Sequence, residues 1–166
     1  MTNSVPVLSA TGLSSGLART LRVLEMQAAG LSHADSLLQP FPRGNCLNWV
    51  IGHIAVHREK MLAALGEETV LPSGTLDRYE SESAPILEDG AGVWRLEALF
   101  TLLASQQERL SSILETVTTE HLAQPSAQTG SPSVGDTIAN LSWHETYHCG
   151  ATELLRQLAG TDDMLI

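Results

Sequence analysis

The chain has 166 residues, within the range of roughly 100–200 that one hydrophobic core usually serves, so residues 1–166 are expected to form a single domain. Nine Lys and Arg stand against nineteen Asp and Glu, a net charge of −10. That balance repels a phosphate backbone, and the basic residues are scattered along the chain, so nucleic-acid binding is not expected.

Apolar residues make up 43% of the chain, but no uninterrupted run approaches the ~20 residues needed to span a bilayer. The first residues, MTNSVPVLSATG, lack the basic start and apolar stretch of a secretory signal, so the expected location is cytoplasmic. Cys46 and Cys149 are the only cysteines. They form no C-x-x-C pair and read first as buried small hydrophobes, with a thiol ligand or nucleophile as the other reading.

Four long segments carry the 3.6-residue apolar rhythm of helices and none alternates as a strand would, which predicts an all-α four-helix bundle. The first helix is expected over about Thr11–Ala29, with Leu17, Leu21 and Leu24 on one face and Gly30 to stop it. After a short turn, Pro40 and Pro42 break the chain before Asn45, a good N-cap, opens a second helix over about Cys46–Leu65, ended by Gly66.

A loop of residues 67–91, rich in Gly, Ser, Pro and acids, follows; loops of such length are usually functional or mobile. The third helix, about Gly92–Glu115, is expected to turn Leu96, Leu99, Phe100, Leu103, Leu110 and Leu114 inward. The fourth, about Ser133–Ala159, is entered through QTGSP and closed by Gly160. SHADSLLQP (Ser32–Pro40) and TTEHLAQP (Thr118–Pro125) echo each other as links between a long helix and a Pro-marked loop. This suggests two pseudo-symmetric helix pairs, with the second and fourth helices as counterparts.

Those two helices carry the residues with chemistry. His144 and His148 are four residues apart in W-H-E-T-Y-H, one turn along the same face and spaced to grip one ion. Val134, Ile138, Leu141 and Leu155 share their stripe, which directs both imidazoles inward. On the second helix, Val50, His53 or Ile54, His57 and Met61 form a similar stripe, so at least one more imidazole faces the core. Neutral imidazoles suit Zn, Ni, Fe or Cu better than Mg or Ca. Three protein ligands leave coordination positions open, as in a catalytic site. His57 stands one turn from His53 and is open to three roles: the ligand in its place, a fourth ligand, or a group facing a ligand or substrate. His33 and His121 lie in connecting turns and read as solvated or capping residues.

H-E-x-x-H is also the metalloprotease signature, with Glu145 as general base. The short stretch after His148 leaves little room for a downstream third ligand, however, and an all-α chain offers no strand to align a peptide. Glu145 to His148 is one E-x-x-H of the kind used by carboxylate-bridged di-iron bundles, but a second copy and two further glutamates are missing. A mononuclear site is therefore favoured. Glu145 is read either as an acceptor that orients a ligand imidazole or as an exposed helix residue. Trp143 and Tyr147 are read as packing or interface residues.

The segments N-C-L-N-W-V-I-G-H-I (Asn45–Ile54) and W-H-E-T-Y-H-C-G with L-L-R-Q-L-A-G (Trp143–Gly160) resemble the two hallmark segments of the DinB-like (YfiT-type) metalloenzymes, and the resemblance covers nearly the whole chain. It implies a four-helix bundle holding a divalent ion, commonly zinc or nickel, by one His of the second helix and two of the fourth. By position these are His53, His144 and His148. It further implies homodimers and, for some members, transfer or isomerisation reactions that use a low-molecular-weight thiol as cosubstrate. The chain departs from the common pattern after His148, where C-G-A-T replaces a frequent G-Q; this leaves a Gln contact without support and sets Cys149 beside a ligand.

The expected function is that of a metal-dependent transferase acting on a small molecule, in which the ion activates a thiol or water. From the length of the 67–91 loop, Asp77, Arg78 and Tyr79 are expected to border the substrate pocket, with Glu145, His57, Arg78 and Tyr79 as candidate catalytic residues. The alternatives are a non-catalytic, stress-associated metal- or ligand-binding protein, a metal-dependent hydrolase, and a bundle whose histidines only satisfy one another.

Overall fold

The computed structural model of the chain describes residues 9–41, 43–127 and 130–161. Six α-helices, and no strand, occur among these residues: α1 Ala10–Ala28, α2 His33–Ser36, α3 Leu47–Ala64, α4 Leu96–Thr116, α5 Thr119–Leu122 and α6 Val134–Leu158. The four long helices form the bundle, with α1 and α3 each packed against both α4 and α6. No helix among the described residues is long and apolar enough to cross a membrane.

Each half of the fold runs long helix, single-turn helix, long helix. The single turns are capped alike: Ser32 accepts from the Asp35 N–H and Thr118 from the His121 N–H, which is the structural content of the repeated SHADSLLQP and TTEHLAQP segments. Gly30, with φ +80°, lets the chain leave α1 in the left-handed conformation. Pro42, and Gln128 and Thr129 at the entry to α6, lie outside the described residues.

Two helix starts differ from expectation. α3 begins at Leu47 with Cys46 as its N-cap and no side-chain cap bond, so Asn45 does not cap it. α4 begins at Leu96, four residues later than expected, because Gly92 takes a positive φ of +76° and the chain turns there. The cap for α4 comes from elsewhere: the buried His33 accepts the Leu96 N–H on Nδ1 (3.3 Å). His33 is therefore a capping residue and not a solvated one.

α3 also differs in kind. Every residue from Leu47 to Arg58 is buried, so this helix has no solvated face. The 67–91 loop supplies the missing cover through a 3₁₀ turn at Asp77–Tyr79 and the fully buried Tyr79 and Ile86, both part of the core around Val50, Ile54 and Leu99. The six leucines and Phe100 assigned inward on α4 are placed as expected, with Phe100 partly buried against that core.

Candidate metal centre

α3 and α6 are neighbours, and the inward stripes of the two helices meet at their histidines. One ring nitrogen from each of His53, His144 and His148 comes within 4.8 Å of the others, a set that could hold a metal ion. His53 Nε2 lies 3.2 Å from His144 Nε2, and His148 Nε2 lies 3.0 Å from the same atom. For ligand bonds of about 2.0–2.1 Å in a tetrahedral site, nitrogen atoms sit roughly 3.3 Å apart, so the observed spacing is that of ligands around one small cation.

Proton accounting gives the same answer. His53 Nδ1 lies 2.7 Å from the Tyr79 carbonyl oxygen, which can only accept, so the proton is on Nδ1 and Nε2 presents a lone pair. If His144 donates to His53, nothing remains for His148; if His148 donates to His144, the lone pairs of His144 and His53 face each other. In either neutral arrangement one of the two contacts has no hydrogen bond, and a cation at the point of convergence satisfies all three nitrogens. Burial, the largest influence on each ring, holds the three below their ordinary pKa, His148 at about 4, so near neutral pH they are in the ligand form.

The backbone carbonyl that orients His53 is held by a small network. Gly52 has no side chain, and a Cβ there would meet Cδ1 of Tyr79 at 2.1 Å, so the ring lies directly on the α3 backbone. The Tyr79 hydroxyl donates to Asn48 Oδ1 (3.0 Å) and accepts from the Trp94 N–H (2.7 Å). Asn48 and Gly52, one turn apart, thus seat the residue whose carbonyl fixes the ring of His53. Trp49 stacks on the other side, with ring centroids 4.4 Å apart.

His57 stands beside the trio. Its ring stacks on that of His144 at 4.2 Å, both its nitrogens are buried without a hydrogen-bond partner, and burial together with the neighbouring imidazoles pushes its pKa down to about 3. It is not among the three converging rings.

Neither reading of Glu145 holds. Its carboxylate is fully buried and bonded to Arg58, at 2.9 Å from Nε and 2.7 Å from Nη2, and to the Thr20 hydroxyl. Arg58, also fully buried, donates further to the Leu17 and Leu103 carbonyls, so this ion pair ties all four long helices together. Sequence reasoning missed it, although Arg58 and Glu145 each directly follow an inward histidine. The expectation for the loop is corrected as well: Tyr79 acts behind His53, and Arg78 is turned to the Ala84 and Pro85 carbonyls. Asp77 belongs to a groove with Lys60 and Thr75 on the far side of α3.

Cys46 and Cys149 are both buried free thiols. Cys149 points to the Thr20 carbonyl and not to the trio, and burial, reinforced by Glu145, raises its pKa to about 11; it is a core residue. Trp143 and Tyr147 are exposed and stack on each other.

The model of the DinB superfamily matches residues 17–151, which include α3, α6 and all three converging histidines. The chain belongs to the DinB superfamily. A crystal structure of a conserved protein from Enterococcus faecalis superposes on this DinB chain with a TM-score of 0.70 at 19% identity, covering 90% of this chain and 96% of that one. At that identity the likeness speaks for the fold alone. No curated protein matches the sequence.

Proposed function

We propose that this DinB protein is a metal-dependent enzyme that holds a divalent ion, zinc or nickel, on His53, His144 and His148 and transfers a low-molecular-weight thiol to a small electrophilic molecule. The observation that carries the reading is the convergence of three neutral imidazole nitrogens whose own protons cannot satisfy them. When bound, such an ion supplies Lewis acidity that lowers the pKa of a thiol or water. The protein's part is to fix the rings: Tyr79 sets the tautomer of His53, and the Arg58–Glu145 pair fixes α3 against α6.

The same geometry ranks the alternatives. A hydrolase of the H-E-x-x-H kind needs Glu145 as a free general base, and Arg58 and Thr20 already occupy that carboxylate. A thiol made acidic needs no such base. The shortage of a free carboxylate also favours, as the second reading, a protein that binds metal without turnover.

Elemental analysis of protein purified without an affinity tag tests the proposal: about one equivalent of zinc or nickel is expected, falling below a tenth in His144→Ala, with turnover when a thiol and an electrophile are supplied. Protein that carries no metal and takes up neither added ion would overturn it. Bound metal with no turnover across thiols and electrophiles would select the second reading.

The homodimer is a proposal of the same kind. Trp143, Tyr147, Leu154 and Leu158 are exposed on α6 at spacings that place them along one stripe, and a second copy of the chain is the proposed cover. Leu154→Ser combined with Leu158→Ser should turn a dimer into a monomer by light scattering with unchanged helix content. A wild-type monomer at high micromolar concentration would refute this.

A further inference from the structure

A cavity of about 390 Å³ opens between α3 and α6 beside the metal centre, lined by His57, Ser131, Thr137, Asn140, Trp143 and the edge of His144. Its volume is at the lower end for small-molecule pockets. Three observations bear on its occupant. First, His57 is nine-tenths buried, yet neither ring nitrogen has a partner; a buried neutral imidazole has one N–H to give and one lone pair to receive, and leaving both unmet is costly. Second, Asn140 gives one amide N–H to Ser131 Oγ, so its carbonyl oxygen and second N–H remain available, again one acceptor and one donor. The Thr137 hydroxyl is taken by Ser126 and the Ser133 carbonyl. Third, no charged residue is among the described residues that line the cavity, and the exposed indole of Trp143 forms one wall.

We infer that this cavity binds the small-molecule substrate and selects an uncharged, planar molecule with a hydrogen-bond donor and acceptor side by side, as in an amide, lactam or imide. The donor–acceptor edge meets Asn140 and His57, and the flat face lies on Trp143. An isolated carboxylate or ammonium would find no counter-charge among these side chains and would lose its hydration on entry. The inference rests on the reading of the three histidines as a metal centre only in calling the ligand a substrate; the recognition itself uses residues outside the trio.

Benzamide, benzoate and benzylamine are matched in size and differ in charge, which makes them suitable probes. They can be titrated into the metal-free protein while the indole resonance of Trp143 and the side-chain amide of Asn140 are followed by NMR. Benzamide should move both resonances saturably at millimolar concentration, with benzoate and benzylamine binding at least tenfold more weakly. Asn140→Leu, at an exposed position where folding is not at risk, and His57→Phe should each weaken benzamide at least tenfold. Absent or non-saturable shifts, equal binding of all three probes, or an Asn140→Leu variant that binds as well as wild type would overturn the inference. Zinc content of the same samples after loading separates the two claims: zinc bound without benzamide selectivity sinks this one alone, and benzamide selectivity without zinc uptake sinks the metal centre alone.

Discussion

Replacing Arg58 with Met should be among the most damaging changes in the protein. Both partners of the Arg58–Glu145 pair are fully buried and joined by two hydrogen bonds of 2.9 and 2.7 Å. Met fills much of the volume but leaves the Glu145 carboxylate in the core with only the Thr20 hydroxyl. Breaking one side of such a pair costs about 3–5 kcal/mol. The Leu17 and Leu103 carbonyls lie inside helices and retain their intrahelical partners, so they add little. With a urea slope of about 2 kcal/mol/M, the unfolding midpoint followed by circular dichroism should fall by about 2 M. The loss should shrink at pH 5, where the stranded Glu145 can take up a proton. Adding Glu145→Leu removes the stranded charge, and the double variant should recover to within about 1.5 kcal/mol of wild type, since apolar replacements of buried pairs are often neutral. A midpoint shift under about 0.5 M in Arg58→Met, or a double variant as unstable as the summed singles, would refute the claim that this pair ties the bundle together.

Two further predictions concern the histidines. Gly52→Ala forces the Tyr79 ring off α3 and with it the carbonyl that orients His53, so stability should drop by about 1–3 kcal/mol and zinc affinity by about 10–100-fold in a competition titration; unchanged affinity would show that Tyr79 does not position the ring. In metal-free protein, His57 and His148 have pKa values of about 3 and 4 against an ordinary 6.5. Between pH 6.5 and 4 the unfolded chain therefore binds protons that the folded chain refuses. Stability should be flat above pH 7 and fall below 6.5 by up to about 1.4 kcal/mol per pH unit for each such ring; urea midpoints that rise on acidification would contradict the burial argument.

How much of this was legible in the sequence depended on whether periodicity could decide the question. His144 and His148 were placed by spacing and stripe, and the repeated polar turns did mark the capped single-turn helices α2 and α5. The choice between His53 and His57 could not be made that way, because α3 is buried all round and both rings lie inside. What separates them is the carbonyl of Tyr79, a partner 26 residues away. The same limit explains Arg58 and Glu145: each reads alone as a solvated charge, and only the register of α3 against α6 shows that they neutralise each other. The long loop was marked correctly as unusual but assigned the wrong task. A helix without a polar face needs cover, and the 67–91 segment provides it while supplying the carbonyl that fixes His53.

That division of labour bears on His57. The trio has its tautomer set from behind by Tyr79, and the bundle its register set from beside by Arg58 and Glu145, so neither role falls to His57. A buried imidazole with two unmet nitrogens costs stability and would be replaced by Leu or Phe in a core selected for packing alone. Its position between the converging nitrogens and the uncharged cavity gives that cost a use, in meeting a ligand that supplies both the donor and the acceptor it lacks.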